Sequence, residues 1–476
     1  MSAHQNRRQQ AAAENRKAMR GYYIAGIVLV LFIAVVILLN SSLMLTSFSA
    51  VQVGDTSYNA AEFNYYYYNT YYSYYNYASY MGLDTTQPLS TQQYSEDMTW
   101  QDYFQQTALD TLVTTTARYD AAVEAGYTLT EEDQQTIEDT VASMEEAAAT
   151  NDMSVEDFMT ARYGKGFTMD LFREMVEREV LASGYATQIR DSYTYTQEQL
   201  DEEYDTNLAS QNDRITYSYY LVEAEKAEDE EEYSEEALAD AKAKAETIAE
   251  AAGEAEDLTE LTVDGEEISF TETTAFASAL DSSYSEWLLG SSRKAGDITT
   301  AETSSGCYVV VFDSRDDNSG DTVNVRHILI EAEADEEGNY TDEAKAAAKE
   351  RAEEILQEWK DGDATEESFA ALAEEYSADT GSNTNGGLYE NVFEGQMVEE
   401  FNDFCFDPAR EPGDTGIVFN EGTYCGYHII YFVSWGEPYR DVLADDSLRS
   451  ADFSAWDAEI SEGYEATIGF GMRYAM

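Results

Sequence analysis

A tandem repeat in the second half constrains this chain more than any other feature. Residues 215–225 read ITYSYYLVEAE and residues 323–333 read VNVRHILIEAE. Each is an apolar, β-branched and aromatic run that breaks into acid, the pattern of a buried strand ending in a polar turn. An acidic loop and then a helix follow in each copy, over Ser234–Ala252 and Thr341–Lys360. In the second copy Thr341 suits the cap, Asp342 and Glu343 suit the positive helix start, and Gly362 suits the stop. Each copy closes on a second apolar strand, GCYVVVF at 306–312 and GYHIIYF at 426–432. Two related α/β units of about 100 residues are therefore expected in tandem. Their seam is Asp316–Asp321, DDNSGD, read as a polar linker.

The copies differ at two informative positions. His327 aligns with Tyr219, and His428 aligns with Tyr308. The chain holds three His, and the third is His4, far upstream. Packed core histidines are the plain alternative. Both, however, stand on repeat-equivalent strands and in one copy only, which marks the second copy as the one that carries chemistry.

The other strong constraint is Tyr22–Leu39, an apolar and aromatic run of 18 residues. At 1.5 Å per residue it reaches about 27 Å, enough for a hydrocarbon core. Arg7, Arg8, Arg16, Lys17 and Arg20 precede it against one Glu14, so the positive-inside rule keeps this end cytoplasmic. A cleaved signal peptide fits less well, because its apolar region is shorter and a cut after Ala50 places Phe48 where a small residue is needed. The reading is a cytoplasmic tail over 1–20, an anchor over 21–40, and the bulk of the chain extracytoplasmic.

Composition narrows the partners. Asp plus Glu number 95 against 27 Lys plus Arg, a net charge of −68, which excludes a basic surface for nucleic acid. Three Cys without a CxxC exclude a disulfide-dense scaffold and a Cys-based zinc site. Cys307, Cys405 and Cys425 leave two readings, half-buried thiols or one Cys405–Cys425 bridge. The acid runs, such as Glu228–Glu232, read as solvated faces, and DDNSGD lacks the spacing and closing Glu of an EF-hand loop.

Between the anchor and the repeat the text is helical. Tyr58–Tyr80 holds 11 Tyr in 23 residues, more than one buried stripe can absorb. Helix packing with a homodimer seam is one use; a surface for unfolded clients is the other, because Tyr joins apolar area to a polar tip. From Trp100 to Ile189 apolar residues keep a 3–4 spacing, punctuated by Gly126, Gly164 and Gly166. A further helix spans Gln197–Tyr204.

The second repeat resembles a parvulin-type peptidyl-prolyl isomerase. Its opening strand Val325-Arg326-His327-Ile328-Leu329-Ile330 is followed by a helix into Ser377-Ala378-Asp379-Thr380-Gly381-Ser382 and Gly386-Gly387. Then come Gly395-Gln396-Met397-Val398 with Phe401, read as one helix, and the closing Gly426-Tyr427-His428-Ile429-Ile430. Four motifs in order over about 110 residues make the signal strong. The whole is similar to membrane-tethered foldases of the PrsA/SurA type. Val53-Gly54-Asp55 with Ala61-Glu62-Phe63 resembles the start of their chaperone region, and Ser447–Ala466 its returning helix. The fold class implied is α+β, with a helical chaperone domain over 50–213 and a degenerate parvulin-like domain over 214–316. The isomerase domain follows over 321–436, and residues 437–476 complete the chaperone domain.

Residue by residue, the resemblance implies that His327 and His428 pair beneath the site and that Asp379 stands beside the substrate carbonyl. Met397 and Phe401 would wall a proline pocket, with Phe406 below. One more wall falls to Leu388 or Tyr389: the family usually reads GGDLG where this chain reads Gly386-Gly387-Leu388-Tyr389-Glu390. The expectation falls on Leu388. No metal or cofactor is implied, and no basic triad marks a preference for phosphorylated substrate. The first repeat lacks both His and a GQM-like segment; Trp287-Leu288-Leu289 with Gly296-Asp297 stands in its place, so it is expected to be inactive.

The implied reaction rotates an X–Pro peptide bond against a barrier of about 18–20 kcal/mol. It breaks no covalent bond and needs no nucleophile. The implied function is an extracytoplasmic folding factor for exported, unfolded chains. A non-catalytic holdase and an adhesion protein built on the Tyr-rich helix are the competing readings.

Overall fold

The computed structural model describes residues 29–30 and 42–476, except 76, 79, 227–231, 336 and 423. The apolar run Tyr22–Leu39 lies outside the described residues apart from Leu29 and Val30, and so does most of the acid run at 228–232. Among the described residues no helix is long and apolar enough to cross a membrane. The chain forms two compact units, one of residues up to Tyr193 with Ser450–Met476, the other of Thr194–Arg449.

The first unit is helical because its sequence starts and stops helices cleanly. Thr99 and Thr130 each accept a backbone N–H at the helix start while Asp102 and Asp133 reach back, two reciprocal capping boxes. They open the helices Trp100–Ala125 and Glu131–Thr150. Gly126 ends the first of these at φ +72°. Val155–Tyr163 and Met169–Ser192 follow. A hairpin, Ser49–Val53 with Thr56–Asn59, takes the C-terminal strand Ala466–Ile468 on its open side, Val51 facing Ile468. The Tyr-rich helix is Ala60–Tyr75, and it buries more of its rings than a single stripe would. Tyr65, Tyr66 and Tyr67 are within the core, and Tyr68, Tyr71 and Tyr74 pack against it. Tyr75, Tyr77 and Tyr80 remain exposed. Helix Tyr439–Ser461 begins earlier than expected, directly after Pro438. Its last turns return to the first unit, where Asp457 takes a two-pronged ion pair from Arg118 at 2.6 and 2.9 Å and Trp456 meets Tyr185 edge-on.

In the second unit the repeat becomes two antiparallel four-stranded sheets of one topology. Strand order in the first is Thr271–Phe276, Arg214–Glu223, Gly306–Asp316, Ile298–Thr303. In the second it is Leu388–Val392, Asp321–Glu331, Cys425–Pro438, Thr415–Glu421. The registers agree: Tyr219 faces Val310 and Tyr308 faces Leu221, as His327 faces Ile430 and His428 faces Leu329. Helices Glu235–Glu254 and Asp342–Asp361 are capped by Ser234 and Thr341. Gly362 caps the latter helix without entering the left-handed region.

The repeat also diverges. The second copy adds helix Glu366–Tyr376 and the loop after it, where the first has only a short hairpin, Thr262–Val263 with Glu266–Glu267. Gly296-Asp297 is not the counterpart of the Gly395–Val398 stretch. Gly296 N–H and Phe312 N–H bond Phe312 and Asp297 carbonyls in the pattern that Gly413, Asp414 and Phe432 repeat, so the equivalent pair is Gly413-Asp414. The seam is polar and mostly exposed, but one of its residues is anchored. Asn318 is buried at φ +58° and donates to the Tyr204 hydroxyl and the Asn212 carbonyl.

Candidate active site

Period-2 alternation decides which strand residues can meet a ligand. Val323, Val325, His327 and Leu329 share one face of the opening strand; Ile328 packs on the other against Ile355 and Phe369 of the helix layer. On the closing strand His428, Ile430 and Phe432 fall on the face of His327. Because His327 faces Ile430 and His428 faces Leu329, the two imidazoles are diagonal neighbours. Their Nδ1 atoms lie 3.1 Å apart.

The loop after helix Glu366–Tyr376 brings the acid. Ala378 N–H donates to the Leu329 carbonyl and Leu329 N–H to Ser377 Oγ, which docks the loop on the strand end. Asp379 Oδ2 then sits 2.8 Å from His327 Nε2 and accepts from Ser382 Oγ at 2.5 Å and Tyr389 OH at 3.0 Å; its Oδ1 accepts Gly381 N–H. The two glycines allow the return to the sheet. Gly387 has φ +72°, and a Cβ there would lie 2.2 Å from the His327 carbonyl.

Electrostatics fix the protonation states. Burial raises the Asp379 pKa, but the hydrogen bonds from Ser382, His327, Gly381 and Tyr389 outweigh it and hold the carboxyl at about 2. Burial lowers His327 despite Asp379, and burial with repulsion from His327 lowers His428 to about 4. Both imidazoles are therefore neutral at pH 7. An ionised Asp379 only accepts, so His327 carries its proton on Nε2 and leaves Nδ1 as acceptor. His428 must then donate from Nδ1, and its Nε2 accepts from the Tyr424 hydroxyl at 3.1 Å. One directed chain runs Tyr424, His428, His327, Asp379.

Above it lies a cavity of 290 Å³, walled by Leu329, Met397, Val398 and Phe401 on its apolar side. Asp379, Tyr389, Tyr424 and Gln396 supply the polar side. Phe401 stands edge-on to both imidazoles, with centroids at 5.6 and 5.3 Å. Its size suits a proline ring with part of the preceding residue.

The structure brings together His327, Asp379, His428, Met397 and Phe401. It corrects two walls. Tyr389, not Leu388, lines the cavity: Tyr389 faces Val325 across the ladder and so shares the face of His327, whereas Leu388 faces Arg326. Phe406 packs in the same apolar cluster, edge-on to Trp435, but does not line the cavity. Met397 lies in the turn before helix Glu399–Cys405 rather than on it. Ser382, Gln396 and Tyr424 gained no role from the sequence. Ser382 had a signal, three residues after Asp379 in a turn; Tyr424 had none beyond an aromatic in an unusually long closing loop. All three cysteines are free and buried, so there is no Cys405–Cys425 bridge.

The wiring excludes hydrolysis by a Ser–His–Asp relay. Ser382 Oγ and Asp379 Oδ2 approach the same nitrogen, His327 Nε2, at 3.3 and 2.8 Å. A relay needs the carboxylate on the opposite nitrogen. Burial pushes the Cys405 thiol up to about 12, which removes it as a nucleophile. What remains is an apolar slot beside an oriented, negatively ended polar chain.

In the first repeat the corresponding face is filled. Tyr219 and Tyr308 meet at 5.9 Å where the histidines stand, and Tyr284 closes edge-on over Tyr308. Thr273 faces Tyr217 where Tyr389 faces Val325.

This arrangement is a parvulin-type peptidyl-prolyl isomerase domain, and residues 309–433 match the family described as PPIC-type PPIase domain. Over 387 residues the chain is 28% identical to the chaperone SurA of Alkalilimnicola ehrlichii, covering 77% of this chain and 81% of that one. Over 111 residues it is 37% identical to foldase protein PrsA 1 of Listeria innocua, covering 23% of this chain and 30% of the relative's length. The crystal structure of PrsA from Bacillus subtilis aligns over 77% of this chain and 86% of its own, with 15% identity and a TM-score of 0.29. The chain thus carries a peptidyl-prolyl cis-trans isomerase domain and is similar to a SurA chaperone and to PrsA foldases.

Proposed function

We propose that this chain is a membrane-anchored, extracytoplasmic folding factor that isomerises X–Pro bonds in exported, unfolded polypeptides and holds them meanwhile. The observation that carries the reading is the directed chain from Tyr424 to Asp379 under an apolar slot of proline size. Met397, Val398 and Phe401 take the ring. Amide resonance places negative charge on the carbonyl oxygen, and twisting the C–N bond withdraws it. A carboxylate fixed beside that oxygen disfavours the planar amide more than the twisted one, which is differential binding of the transition state. Asp379 has this role; His327, His428 and Tyr424 hold its partners in one protonation state. The names of the relatives, chaperone and foldase, support action on unfolded chains. The 18-residue apolar run behind a basic flank supports the anchor and the orientation.

The test is refolding of a protein whose slow phase is prolyl isomerisation. The chain accelerates that phase, and Asp379→Asn loses most of the acceleration while still suppressing aggregation. Removal of residues 1–41 leaves both activities and frees the protein from the membrane pellet. Acceleration unaffected by Asp379→Asn would contradict the catalytic assignment and favour a holdase.

A further inference from the structure

The first repeat has no slot of its own, yet one line of its sheet meets the slot of the second. Phe276, Arg214 and Asp316 are direct neighbours across three strands. Arg214 Nη2 pairs with Asp316, and Arg214 Nη1 donates to the carbonyl of Glu394, in the second repeat. Glu394 belongs to the turn Phe393–Val398, whose last three residues wall the proline slot. Phe393 is gripped from several sides: Phe276 meets it edge-on at 5.8 Å, Tyr439 stacks on it at 4.4 Å, and the Arg214 guanidinium lies 5.4 Å from its centroid. Inside the turn, Phe393 N–H bonds Gln396 Oε1 and Gly395 N–H bonds Asn402 Oδ1. The turn is thus tied to helix Glu399–Cys405 below and to the first repeat beside it. The Arg214 side chain is 19% exposed, and its Nε is buried without a hydrogen-bond partner. Burying a guanidinium in this way is costly unless its remaining bonds are held.

We propose that the first repeat is a positioning element of the isomerase: Arg214, with Phe276, sets the Gln396–Val398 wall and so the fit of the proline ring. Arg214 touches no reacting atom. A wall that grips the ring alike in the planar and twisted amide contributes uniform binding, which appears in KM and not in kcat.

This inference rests on the isomerase reading, and one experiment separates the two. Exchange of an X–Pro peptide is measured with the full chain over a range of peptide concentrations, for wild type, Arg214→Met, Arg214→Lys and Phe276→Leu, each with its melting curve. Wild type without catalysis overturns the isomerase reading. With wild type active, the inference predicts a KM raised about five- to twenty-fold in Arg214→Met, kcat within two-fold, and partial recovery in Arg214→Lys, which keeps a donor for Glu394. Should Arg214→Met fail to fold, Phe276→Leu decides, with KM raised about two- to four-fold at unchanged melting. Wild-type KM in a folded Arg214→Met, or losses in kcat that track lost melting temperature in both variants, overturns the inference.

Discussion

At the residue scale, His327 and His428 were readable because histidine is rare in this chain, and Asp379 because it stands in the Ser377–Ser382 motif. Two histidines on matched strands of one repeat leave few alternatives. Tyr389 was not readable, because a one-residue slip in an antiparallel ladder moves every side chain to the opposite face. The sequence around Gly386-Gly387 does not settle that register; the pairing of Tyr389 with Val325 does. Tyr389→Phe removes one hydrogen bond to Asp379 and is expected to lower kcat/KM several-fold, while Leu388→Ala leaves it within two-fold; kinetics on both variants check the register. The pH dependence follows from the same groups. His428 titrates near 4 in the fold and near 6.5 unfolded, so the unfolded chain binds the extra proton between those values. The stability its neutral form contributes is full above about 6.5 and lost as pH falls toward about 4, on the order of 3 kcal/mol. His327 shifts in the same direction. Denaturant unfolding from pH 8 to 4 is expected to show the gap between wild type and His428→Gln closing through that window, and isomerase activity holding until pH nears 4.

At the element scale, caps and periodicity carried the reading. Thr341 caps its helix as its position before Asp342 and Glu343 implied, and Gly126 ends a helix at positive φ. What sequence could not give was contact at long separation. The turn at Phe393 is held by Arg214 from 180 positions upstream. The burial of Asn318 within the exposed seam depends on Tyr204 and Asn212, and no local pattern marks that one residue as anchored. Gly387 tests the loop that seats the acid. An alanine there meets both a left-handed backbone and the His327 carbonyl, so Gly387→Ala is expected to cost at least about 2 kcal/mol and to abolish activity. Thermal melting of the variant checks this, and wild-type stability would refute the stated role of the glycine.

At the scale of the whole molecule, one sheet topology serves two ends. In the second copy, an added helix and loop deliver Asp379 over a pair of histidines, and a slot remains open. In the first copy that loop is a short hairpin, tyrosines occupy the histidine positions, and the face is packed shut. Which copy carries the histidines was legible from two substitutions, and the resemblance implied the reaction; the filled face of the first copy and the directed chain of the second needed the fold. The central claim is that a fixed carboxylate beside an apolar slot catalyses rotation about X–Pro bonds. The most direct measurement is magnetisation exchange between the cis and trans forms of a short X–Pro peptide, with the full chain and with Asp379→Asn. Exchange with the wild-type chain is expected far above the uncatalysed rate of one event in tens to hundreds of seconds, reduced at least tenfold in the variant with the fold intact. Exchange at the uncatalysed rate with the wild-type chain, or equal exchange with both proteins, would contradict the central claim.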